Sequence, residues 1–101
     1  MDYETAIAAL ADPSRRAIVD RLRDGPAPVG AIAEGLPISR PAVSQHLRVL
    51  SDAGLLTATA DGTRRLYALS PDGVAALRAW LDTLWTDAMT AFAEAAKDRR
   101  D

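Results

Sequence analysis

Apolar residues recur along most of this chain at helical spacing, with one strand-like interval past its middle. Tyr3, Ile7 and Leu10 lie three to four residues apart, and the run stops at Ala11-Asp12-Pro13 because a proline ring cannot continue a helix; a short helix is predicted over 3–10. Asp12 then suits an N-cap with Pro13 in the first helical position, opening a second helix whose Ala17, Ile18 and Leu22 face inward while Arg15, Arg16 and Asp20 face water. Gly25-Pro26 ends it. Val29, Ile32, Ala33 and Leu36 share one face of a two-turn third helix bounded by Gly35 and Pro37. Ser39 caps a fourth helix, Pro41 sits in its first turn, and Gly54 supplies a left-handed stop after Ala53. The stretches 55–60 and 63–69 then read as two strands around Asp61-Gly62, a dipeptide suited to a type I′ hairpin. Ser70-Pro71 opens the last and longest helix, expected to about residue 97, with 98–101 free to fray. The fold class expected is mostly α with a small β-hairpin wing, in the order α-α-α-α-β-β-α: a winged helix-turn-helix forming a single domain over 1–101.

The last helix carries more apolar surface than one small domain covers easily. Leu77, Leu81, Leu84, Trp85, Ala88 and Phe92 share one side, and Trp80 and Met89 widen the arc. An ordinary core helix and a pocket for an aromatic effector both suit this arc. The expectation is a dimer seam, made by this helix (about 71–97) together with Tyr3 and Ile7 of the first, because Trp, Met and Phe favour interface cores and a domain of 101 residues gains from sharing its core.

Composition narrows the chemistry. Without cysteine there is no disulfide, thiolate metal site or thiol nucleophile. The acidic start Met1-Asp2-Tyr3-Glu4 lacks the basic end of an export signal and no run is long and apolar enough for a bilayer, so a cytoplasmic protein without a membrane partner is expected. The net charge of −2 argues weakly against a nucleic-acid partner, but between Ser39 and Arg65 four arginines face only Asp52 and Asp61, a local net charge of +2.

That basic interval contains the fourth helix. Val43, Leu47 and Leu50 must face the core, which turns Pro41, Ser44, Gln45, Arg48 and Asp52 outward, with Arg40 at the start where free N–H groups also favour phosphate. Gln reads adenine and Arg reads guanine through paired hydrogen bonds in the major groove, and Ser serves a base edge or a phosphate. A polar helix face alone is ordinary; here it follows a short helix and a tight turn at Leu36-Pro37-Ile38, and precedes a wing carrying Arg64 and Arg65. The DNA-contacting set expected is therefore Ser39, Arg40, Pro41, Ser44, Gln45, His46, Arg48, Arg64 and Arg65, with His46 at the edge of the buried stripe, packing at the boundary or donating to a phosphate.

The segments "ALADPSRRAIVDRL", "ISRPAVSQHLRVLSDAGLL" and "DGTRRLYAL" resemble the ArsR/SmtB family of bacterial winged-helix repressors over nearly the whole chain. The resemblance implies a homodimer that binds an operator and releases it when an effector, here of unknown chemistry, shifts its shape. Many members sense metals or oxidants through cysteines in the third helix or carboxylates and histidines in the last. This sequence departs there: the third helix offers Ala31, Ile32, Ala33 and Glu34, and the last has Asp72, Asp82, Asp87 and Glu94 but no histidine. No metal and no cofactor is expected. The function expected is a sequence-specific dimeric repressor on double-stranded DNA with a pseudo-palindromic operator. The alternative is a winged-helix protein-interaction module without specific DNA binding; catalysis is not expected, since one histidine stands without a nucleophile or metal set.

Overall fold

The structure, a computed structural model, describes residues 3–99. Helix α1 spans Tyr3–Ala9 and α2 Pro13–Leu22. A two-residue strand β1, Ala27–Pro28, precedes α3, Val29–Glu34, and α4, Arg40–Asp52. Strands β2, Leu56–Asp61, and β3, Arg64–Leu69, form the hairpin, and α5 runs over Pro71–Asp98. The expected order holds apart from β1, and α5 passes the point where fraying was expected; Arg100 and Asp101 lie outside the described residues.

The caps act as their residue types dictate. The Asp12 carboxylate accepts from the Ser14 and Arg15 amides at 2.7 and 3.2 Å, Ser39 Oγ from Ala42 at 3.2 Å, and Ser70 Oγ from Gly73 at 3.3 Å. Helix α4 ends in a Schellman motif: Gly54, at φ 80°, donates to Ser51 and Leu55 donates back to Leu50, both at 3.0 Å. The Arg15 amide holds the Asp12 carboxyl below the usual carboxylate range, helped by the Ser14 amide and by the charges of Arg15 and His46, and opposed by partial burial. The stability this lowered pKa confers is complete above the ordinary carboxylate pKa of about 4 and is lost as pH falls through the lowered value. Melting temperature is expected to fall more steeply below pH ~4 for the native chain than for Asp12→Asn, which keeps an acceptor but does not titrate; parallel curves would remove Asp12 as the source.

Three local expectations are corrected. Strand β1 pairs antiparallel with β3, Ala27 opposite Tyr67 and Pro28 opposite Leu66, so the wing is the outer part of a three-stranded sheet in the order β1-β3-β2. Two residues, one of them proline, carry no readable alternation; only the long-range pairing makes them a strand. The hairpin loop is Gly62-Thr63, because Asp61 already pairs with Arg64. Gly62 has φ 63° while no non-glycine residue among the described residues has positive φ, the pattern of a type II′ turn: a β-branched threonine does not enter the left-handed region that type I′ requires at both positions. Arg15, expected in water, is half-buried and donates through Nε to the Ala9 carbonyl, closing the end of α1.

The core joins Ala6 and Ala9 of α1, Ile18 and Leu22 of α2, Ile32 of α3, Val43, Leu47 and Leu50 of α4, and Leu55 and Leu56 at the root of the wing. Helix α5 is anchored here by its first turn, and Leu77 and Trp80 beyond it are half-buried against the body. The Ser70 amide donates to the Leu55 carbonyl at 2.9 Å, and Gly73 lies so close to Gly54 that a Cβ would come within 1.9 Å of the Gly54 carbonyl oxygen. From Leu81 onward every described residue of α5 is exposed. The radius of gyration is 17.9 Å, against roughly 13 Å for a compact chain of about 100 residues, and the long dimension is 68 Å.

Candidate nucleic-acid interface

The fold turns one face of α4 outward beside the wing. Burying Val43, Leu47 and Leu50 leaves Arg40, Pro41, Ser44, Gln45, Arg48 and Asp52 exposed along the helix, with Ser39 exposed at its cap. The cap positions α4 through Ser39 Oγ itself, so this residue is committed to the helix before any partner arrives.

Two open clefts flank this face. One, of about 400 Å³, lies between the start of α4 and β3: Arg40, Thr63, Arg64, Arg65 and Tyr67 line it with Pro28, Val29 and Gly30. The other, of about 470 Å³, lies between the outer face of α4 and the hairpin, with Ser44, Arg48, Ser51 and Asp52 across from Ala58, Arg65 and Tyr67. Arg65 and Tyr67 line both, because residues two apart on a strand share a face. Thr63 and Tyr67 were not among the sequence candidates; the same alternation, applied outward from Arg65, identifies Tyr67.

The arginines differ in what they already touch. Arg64 pairs with Asp61 at 3.0 Å across the hairpin end. Among the described residues no ion pair engages Arg40, Arg48 or Arg65. The face therefore presents three guanidiniums outside any ion pair, with Asp52 the carboxylate among them, in a chain of net charge −2. His46 is set apart from them: it is half-buried, and its Nδ1 lies 3.4 Å from Arg15 Nη1 of α2.

The expected seam residues divide into two groups. Tyr3 and Trp80 stack on each other within one chain, ring centroids 5.4 Å apart and planes 15° from parallel, and Leu77 is half-buried against the body. Ile7, Leu81, Leu84, Trp85, Ala88 and Phe92 are exposed, Trp85 at 66% and Phe92 at 70%. Among the described residues no three metal-ligating side chains gather, and no helix is long and apolar enough to cross a membrane. The cysteine-less α3 and histidine-less α5 do not fit the metal sites described for the family resembled.

Comparison with known proteins agrees with this architecture. Residues 10–58 match the model of a helix-turn-helix domain. The chain is 56% identical to the HTH-type transcriptional regulator Rv2034 of Mycobacterium tuberculosis over 90% of its own length and 85% of that protein's. It is 34% identical to a crystallised ArsR family transcriptional regulator, covering 82% of this chain and 94% of that one with a TM-score of 0.72. The homodimeric winged helix-turn-helix DNA-binding domain of a Mycobacterium bovis protein is 31% identical, with 83% and 78% of the two chains covered and a TM-score of 0.68. With the capped α4, the wing and these relatives together, the chain belongs to the ArsR/SmtB family of winged helix-turn-helix transcriptional regulators.

Proposed function

We propose that this regulator is a cytoplasmic homodimeric repressor that seats two copies of α4 in successive major grooves of an imperfect palindrome, about one turn or ~34 Å apart. The observation that carries this reading is the row Arg40, Ser44, Gln45 and Arg48 exposed on α4 beside Arg65 of the wing, its three arginines without acidic partners. Gln45 and Arg48 read base edges; Arg40 and Arg65 hold the backbone on either side of the groove. Ser39 and Pro41 set the start of α4, and His46, held by Arg15, sits behind the reading face. The exposed half of α5 is the seam, since a solvated stripe of Leu, Trp, Met and Phe is a poor surface for a lone chain. Repression follows from occlusion of a promoter.

Variants separate these roles. Gln45→Ala and Arg48→Ala are each expected to cost about 1–3 kcal/mol on the preferred sequence and to relax base choice where they point. Arg65→Ala should weaken binding to every duplex and flatten the slope of log affinity against log salt by about one unit. Arg64→Ala should flatten it less, because Asp61 already offsets that charge. Titrations of labelled duplexes at several salt concentrations read all four, and native-like binding by Gln45→Ala, Arg48→Ala and Arg65→Ala together would show that the working face lies elsewhere. A dimer without sequence preference would favour the protein-interaction module.

A further inference from the structure

Beside the open face of α5 the body carries an apolar hollow of about 360 Å³, lined by Leu10, Val19, Leu55, Leu69, Val74 and Leu77 with Arg23 at its edge. Its volume is near the small end of the range for ligand pockets. Val74, on its lip, is 44% exposed. Phe92, the most exposed large apolar side chain among the described residues, stands eighteen positions further along the same helix. At 100° per residue that spacing is five whole turns, so Val74 and Phe92 leave α5 on the same side, ~27 Å apart along the axis. Leu81 and Trp85 lie between them within ~20° of the same line.

A two-fold axis running beside this face of α5 at the level of Thr83, midway between these positions, sets each against the other's counterpart in a second chain. Two α5 helices laid antiparallel about that axis bring Leu81 of each against the partner's Trp85, and Phe92 of each over the partner's Val74. We propose that Phe92 of each protomer fills the hollow beside Val74 in the other, so that each body is completed by a side chain from its partner. This rests on the dimer proposed above and adds its register.

The placement links assembly to the reader helix. Leu55, in the wall of the hollow, directly follows Gly54, the stop of α4, and its carbonyl accepts from Ser70 at the start of α5. An aromatic ring seated on Leu55 braces the junction where α4, the wing and α5 meet. Dimerisation then holds the reading face in position as well as doubling it.

The native chain has no cysteine, so Val74→Cys/Phe92→Cys introduces the only thiols. A disulfide needs Cα atoms within about 7 Å, and on one straight helix these two are ~27 Å apart, so closure within a chain is excluded. Mild oxidation of the full-length double variant should give a closed two-chain species on a non-reducing gel, reversed by reductant and without a ladder of higher multiples. Each single variant should stay uncrosslinked, because the axis leaves like positions ~27 Å apart. Sedimentation of the native protein is run alongside. A native dimer without crosslink in the double variant, with a ladder, or with equal crosslinking of a single variant overturns the register and leaves the dimer standing. A native monomer overturns both.

Discussion

Trp85→Glu is expected to turn the protein into a monomer and to weaken its binding to a palindromic operator by about 100-fold or more. Trp85 is 66% exposed near the middle of a helix in which every described residue from Leu81 onward is exposed. Aromatic side chains at the centre of an interface carry a large share of its binding energy. The substitution removes that surface and sets a carboxylate from each chain into the proposed seam, beside Leu81, Leu84 and Met89, where desolvating an unpaired charge is costly. Loss of the dimer forfeits bivalent engagement, which multiplies affinity by roughly 10² to 10⁴ when two sites are held at matching spacing. Sedimentation measures the first effect and fluorescence anisotropy on a selected duplex the second. The fold should survive, because Trp85 touches no part of the core; an unchanged far-UV circular dichroism spectrum and melting cooperativity establish that. A Trp85→Glu variant that sediments as a dimer and binds like the native chain would remove α5 as the seam.

Gly73→Ala should be the most damaging single methyl in the chain. A Cβ there would meet the Gly54 carbonyl oxygen at 1.9 Å and its carbonyl carbon at 2.8 Å, contacts made to backbone with no flexible end to swing away. Either the first turn of α5 lifts or the stop of α4 shifts, and both also strain the Ser70 to Leu55 hydrogen bond. Overpacking of a tight interior site typically costs 1–3 kcal/mol, and the top of that range, about 3 kcal/mol, applies to a clash with backbone. At roughly 4–8 °C per kcal/mol for a domain of this size, melting should fall by ~12–24 °C. Thermal denaturation checks this; a change of only a degree or two would mean that the helix and the α4 stop separate freely. Gly35→Ala is the contrast, since the nearest atom to its added Cβ is 4.0 Å away.

Much of the fold was legible because its signals are local. Asp12, Ser39 and Ser70 cap within three residues of themselves, and Gly54 stops α4 through bonds to Ser51 and Leu50. The spacing of Val43, Leu47 and Leu50 oriented α4 correctly, so Ser44, Gln45 and Arg48 are exposed as the pattern set them. What escaped depends on distant neighbours. Strand β1 exists only because β3 passes beside Ala27, and Gly73 matters only because Gly54 arrives against it. Arg15 reads as a solvated residue of an amphipathic helix until Ala9 and His46 close around it. The hairpin loop moved by one residue because the Asp61–Arg64 pair extends the ladder to the last position that Gly62 permits. Trp80 and Trp85 are indistinguishable in composition; the packing of α1 against one side of α5 gives Trp80 an intrachain partner in Tyr3 and leaves Trp85 bare.

Selection of duplexes from a random pool by the native protein tests the central claim most directly, since it needs no prior choice of promoter. The account predicts enrichment of an inverted repeat with half-sites about one helical turn apart, and loss of preference within each half-site when Gln45 and Arg48 are replaced by alanine. A pool that remains unenriched after repeated rounds, with binding that tracks salt alone, would contradict sequence-specific regulation by this face.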